Sequence, residues 1–223
     1  MMQQILALHW KSARWGLLPW VVAAFGVPFL IAGRIDTGSA ATHPALWEPV
    51  ATLSPLFPLL AVAAGATVAL TAWSWDHRVG HVYALALPVT RWRYASSKFL
   101  AGLTLAAIPA VSLGVGGALA AGTVQLPELV QAYPGALALR FYLATLAAYG
   151  VLFALAAGTM RTAVVVLTVT VGTVVLGDGL VEFAAQVVPA LEGVRVSDLL
   201  IDVATRPASP FRVFTGNWFL FDV

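Results

Sequence analysis

The sequence predicts an all-α integral membrane protein with about five transmembrane helices, and three observations predict it. The first is composition: 60% of the residues are hydrophobic and only 10% are charged, with a mean hydropathy of +0.88. A soluble domain carries about a quarter charged residues. The second is the spacing of the charges. No Asp, Glu, Lys or Arg occurs in residues 15–33, 49–75, 99–127 or 141–160, and the run 162–177 is also uncharged. The third is the asymmetry of the basic residues between alternate connecting loops, which gives the chain a direction across the bilayer.

A helix needs about 20 apolar residues to cross roughly 30 Å of hydrocarbon. On that measure the spans are expected near 16–33, 51–73, 99–122, 140–159 and 162–182. The first follows Lys11 and Arg14, which resemble the basic start of a signal peptide. The apolar run Leu17 to Gly33 is too long for one, contains Pro19 and Pro28, and is followed by no small-residue cleavage site; it reads as a retained span. The runs are continuously apolar rather than alternating, which favours helices over barrel strands. Pro55, Pro58 and Pro109 are tolerable near span ends or as kinks packed against neighbours. Small residues of the third span, Gly114, Gly116, Gly117, Ala118, Ala120, Ala121 and Gly122, permit close helix approach.

With the N-terminus in the cytoplasm, the inner side holds Lys11, Arg14, Arg78, Arg91, Arg93, Lys98 and Arg161, against Arg34 and Arg140 in the outer loops. That is the expected bias toward basic residues inside. Residues 1–182 then form the membrane domain, and 183–223 a short outer amphipathic tail or an incomplete last span. In the tail, VSDLLIDVATR (196–206) places Val196, Leu199, Leu200 and Val203 opposite Ser197, Asp198 and Asp202, the pattern of a surface helix. The final GNWFLFDV reads either as an interfacial aromatic anchor or as the first turn of a sixth span.

The motifs exclude most chemistry. Neither lysine, Lys11 or Lys98, follows a glycine, so there is no phosphate-cradling loop, and neither HExxH nor GxSxG occurs. Zero cysteines exclude disulfides and thiolate metal sites. A net charge of +2 gives no footprint for nucleic acid. His77 and His81, four apart, read as a surface pair without a third ligand. Asp178 and Glu182, also four apart, reach the outer interface and are weak candidates for a transport role. No catalytic, cofactor-binding or metal-binding residue is expected.

The connector DHRVGHVYALALPVTRWRYASSK (76–98) is the informative part. It holds Arg78, Arg91, Arg93 and Lys98, four of the twelve basic residues, between spans two and three. Val79, Val82, Tyr83 and Ala86 fall on one side of a short helix, with His77, Arg78 and His81 elsewhere. Pro88 ends that helix, and Thr90 is placed to cap the next. Arg91 and Lys98 read as anchors at anionic headgroups.

Asp76, Gly80, Leu85, Pro88, Thr90, Arg91 and Lys98 together resemble the connector motif of the permease subunits of type-two ABC exporters. The resemblance covers about 25 residues, with Asp76 where the family commonly has Glu, and five spans where the family usually has six. It implies a cytoplasmic coupling helix that docks on a separate ABC ATPase subunit, with Asp76, Arg78, Gly80, His81, Tyr83 and Leu85 at the contact. It also implies a second permease subunit, the same or a related chain, and ATP and magnesium bound by the ATPase partner rather than here. The expected function is movement of a substrate across the cell membrane; the alternative is a non-transporting membrane scaffold or assembly subunit on the same fold.

The topology is testable directly. Cysteines introduced at Ser12 and Ser96 should be protected from a membrane-impermeant thiol reagent in intact cells, and one at Ser39 should be labelled. The opposite pattern would invert the chain.

Overall fold

The computed structural model describes residues 2–35, 50–78, 90–124, 130–158, 160–186, 188 and 195–222. The chain is built from helices in the order α1 (Met2–Ala32), α2 (Leu56–Arg78), α3 (Arg91–Ala121), α4 (Pro134–Ala157), α5 (Met160–Ala185) and α6 (Val196–Thr205). Among the described residues, the extended pairing is one antiparallel ribbon of two-residue strands, β1 (Gln131–Ala132) and β2 (Phe221–Asp222). Four helices are long and apolar enough to cross a membrane: Gln3–Ala32, Val50–Arg78, Arg91–Ala121 and Pro134–Ala157. Fewer than half of the residues in each apolar window are buried within the protein. Leu18, Val22, Leu30, Leu59, Leu70, Val111 and Leu139 all face outward. In water such a surface would be a large aggregation-prone patch; facing lipid, it is the expected exterior. The fifth expected span, 162–182, falls within helix α5, which is not one of these four.

The helices outrun their expected boundaries. α1 begins at Met2 rather than near residue 16, and α3 begins at Arg91, behind the expected Thr90 cap, and runs on through the span expected from 99. Helix formation in these polar starts is supported by packing. His9 is 4% exposed and Lys98 6%; Lys98 bonds to Ala72 and Asp76 of α2, and His9 reaches Val68 of α2 through Nε2. Thr90 caps α3 as its position predicts, its hydroxyl accepting from the Arg93 amide at 3.4 Å. Pro19, Pro28 and Pro109 lie within α1 and α3 without ending them.

Contacts divide the chain into two units, Met1–Phe153 with Gly216–Val223, and Ala154–Thr215. In the first, small residues set the helix spacing. A Cβ on Gly65 of α2 would lie 2.7 Å from the Thr145 carbonyl oxygen of α4, and one on Gly116 of α3 would run into the Phe25 carbonyl of α1. The Ser112 hydroxyl donates to the Val21 carbonyl at 2.9 Å, and the Trp20 indole N–H to Thr67 Oγ1 at 2.8 Å. Polar bonds and close backbones thus do the work that apolar burial does in water.

The last residues also belong to this unit, and they form neither a helical turn nor an exposed anchor. They run as an extended clip across the ends of α3 and α4, opposite the ends that carry Arg78 and Arg91. Gly216, at φ +80, makes the turn that admits it. Trp218, Leu220 and Phe221 are at most 3% exposed. Leu220 packs beside Gly117 and accepts from the Tyr133 amide at 2.9 Å. The Arg140 guanidinium lies over the Trp218 ring, 4.5 Å from its centroid, and donates to the Asn217 carbonyl. β2 then pairs with β1, Ala132 opposite Phe221.

In the second unit, α5 and α6 approach closely where Gly177 meets Val196. Asp178 accepts from the Ser197 amide at 2.9 Å, supplying from α5 the N-terminal cap that Arg195 does not provide for α6. The carboxylate that the sequence offers to a transport role is therefore engaged as a cap. On α6, Leu199 and Val203 of the expected stripe are each more than half exposed, as is Ile201, whereas Val196 packs on Gly177.

Gly116→Val should lower the unfolding temperature in detergent markedly, because overpacking against a backbone costs about 1–3 kcal/mol. Gly26→Ala, where a Cβ meets nothing within 4 Å, should leave it unchanged or slightly higher.

Candidate functional site

The site is built on the face of α2 nearest the connector. The carbonyl oxygens of Val68 and Ala72 and the carboxylate of Asp76 fall at i, i+4 and i+8, one column along a helix. Two neighbouring helices reach into it. From α1, the His9 Nε2 lies 3.1 Å from the Val68 carbonyl; a carbonyl accepts only, so this nitrogen carries the proton. From α3, the Lys98 ammonium donates to the Ala72 carbonyl at 2.7 Å and forms an ion pair with Asp76. Tyr94 completes the shell, its hydroxyl donating to Asp76 Oδ1 at 3.1 Å.

Both charges are inside. Asp76 is 0% exposed, so the pair must be satisfied by its own surroundings. The Lys98 ammonium also lies 4.6 Å from the Trp73 ring centroid and 4.9 Å from that of Tyr94, an arrangement in which both ring faces attract the cation. Trp73 is i−3 to Asp76 and Tyr94 is i−4 to Lys98, so each helix supplies a charge and its adjacent aromatic from one face. Beside them Phe99, Tyr149 and Phe153 pack ring on ring, with centroids 5.2–5.4 Å apart. Tyr149 donates to the Phe99 carbonyl at 3.2 Å. Its ring fills the space that a side chain on Gly102 would need.

Of the expected contact residues, Asp76 and Arg78 fall among those described. Arg78 is exposed at the end of α2. Asp76 points inward to Lys98 and Tyr94, and Lys98, expected at the headgroups, is its buried partner. Gly80, His81, Tyr83 and Leu85, with the rest of the expected coupling helix, lie outside the described residues. The structure thus joins the first and last positions of the connector motif, 22 residues apart. The sequence gives no notice of His9, Tyr94 and Trp73 as members of this cluster; the spacings of the two aromatics from their charged neighbours are the signal that could have found them.

No family model, no curated protein and no solved structure matches the chain.

The arrangement fastens α3 to α2. Lys98→Met removes the cation and leaves a buried carboxylate, which should cost about 3–5 kcal/mol and lower the detergent unfolding temperature. Adding Asp76→Leu should recover most of that loss, since an apolar pair of similar volume can replace a buried ion pair. Thermal unfolding of the two single variants and the double variant measures the coupling.

Proposed function

We propose that this chain is the membrane-spanning subunit of an ATP-driven ABC exporter, worked by a separate cytoplasmic ATPase. The observation that carries it is the buried Asp76–Lys98 pair at the two ends of the connector motif. A connector pinned at both ends passes a displacement of its middle to α2 and α3 together. A slack one would absorb it. His9 on Val68 ties α1 to α2, and the Ser112 and Gly116 contacts tie α1 to α3. The three helices can therefore answer a push on the connector as one body.

In this proposal the N-terminus and the connector face the cytoplasm and α5 is the fifth span. The connector, through Arg78, Gly80, His81, Tyr83 and Leu85, seats on the ATPase. Asp76 acts by fixing where the connector begins. ATP and magnesium bind on the partner, and closure of two ATPases biases an equilibrium between inward-facing and outward-facing arrangements of two membrane subunits. The basic side assigned by Lys11, Arg14, Arg78, Arg91 and Arg93 supports the orientation.

Co-expressed with an ATPase encoded beside it, the chain should copurify with that ATPase, and Gly80→Trp should abolish the association while leaving membrane insertion intact. Alone it should show no ATP turnover. Turnover that survives removal of the ATPase, or a Gly80→Trp variant that retains it, would end the proposal. A chain that inserts normally but never retains the ATPase would favour a scaffold.

A further inference from the structure

The first half of α1 carries a compact exposed patch that the coupling proposal does not use. Trp10 is 44% exposed and Trp15 71%, and Lys11 and Arg14 are exposed between them. Positions 10, 11, 14 and 15 are neighbours on one helix face, because residues four apart stack along it. The Arg14 guanidinium sits 5.5 Å from the Trp15 ring centroid. Residues 15–33 carry no charge, so the patch stands at the head of the uncharged run. No acid opposes it. Within Met1–Phe153 the one described acid is Asp76, which is fully buried and neutralised by Lys98.

We propose that Trp10, Lys11, Arg14 and Trp15 form a binding site for the headgroup of an anionic phospholipid in the leaflet nearest the connector. The two cations meet the phosphate. The two indoles lie at the boundary between headgroup and hydrocarbon, where an apolar ring with one polar N–H is best placed. A zwitterionic lipid brings its own cation to compensate its phosphate and gains less from Lys11 and Arg14. The site rests on the membrane-spanning reading of α1 and not on the identity of any ATPase.

It also fixes the depth of the bundle. His9, next to Trp10, bonds the Val68 carbonyl of α2. Asp76 lies eight residues further along α2, roughly 12 Å at 1.5 Å per residue, on the side away from the uncharged run of α1. A lipid held at residues 10–15 therefore lies near the level of Val68, with the ion pair further along α2 toward Arg78.

The test is lipid retention. The full chain is placed in nanodiscs containing equal amounts of phosphatidylcholine and phosphatidylglycerol, released in mild detergent, and its bound lipids counted by native mass spectrometry. Phosphatidylglycerol should be retained in preference. Lys11→Gln with Arg14→Gln should weaken that preference by roughly tenfold or more, since each basic side chain near an anionic surface is worth about fivefold in affinity. Lys11→Arg with Arg14→Lys should keep it, and inorganic phosphate should not displace the lipid. Equal retention of both lipids by the parent chain, an unchanged preference in the Gln pair, or displacement by inorganic phosphate would each overturn the site. A chain that does not enter nanodiscs at all would instead remove the membrane-spanning reading beneath it.

Discussion

A carboxylate with no exposure to solvent constrains everything around it. Asp76 cannot remain charged and buried alone, so a cation must reach it, and Lys98 does. The remaining hydrogen-bonding capacity of the pair is taken up by the Ala72 carbonyl and the Tyr94 hydroxyl. Once those contacts are required, α2 and α3 must lie side by side at these levels. α1 joins through His9 to the same column of acceptors. The remaining cations at that end face no exposed acid among the described residues of Met1–Phe153.

The packing that supports this cluster inverts the usual pattern of a soluble core. Many leucines and valines lie on the outside of α1 to α4, while the inside is set by small residues such as Gly65, Gly102 and Gly116, by hydroxyl-to-carbonyl bonds, and by a few aromatic and aliphatic side chains. Between helices in hydrocarbon there is no gain from hiding apolar surface, so close backbone approach and polar contacts decide the geometry. Gly102 shows how local that decision is. Its missing side chain is the space into which Tyr149 brings its ring, and with it the stack on Phe99.

The helices were legible in the sequence because charges are rare enough to mark their ends. The length of α1 was not, since it begins fourteen residues before the expected span, and Asp76 and Lys98 look like the borders of spans until their partners are known. A polar residue seen alone in sequence reads as a contact with water or headgroups. Brought against a carbonyl on a neighbouring helix, it becomes part of the interior. The same blindness applies to Asp178, whose partner is the first turn of α6, and to Trp218, whose cover is Arg140. Periodicity finds which face of a helix is apolar; it does not say which helix that face meets. The connector residues most specific to the family resemblance lie outside the described residues.

The clip formed by residues 216–222 makes the first unit dependent on the order in which the chain is synthesised. β1, the groove beside Gly117 and the face of Arg140 all leave the ribosome well before β2, Leu220 and Trp218 that cover them. The interval is roughly 90 residues, or several seconds at about 5–20 residues per second. Throughout it the ends of α3 and α4 stand uncovered while α5 and α6 are still being made. Helices α3 and α4 are thus completed by residues translated after α5 and α6.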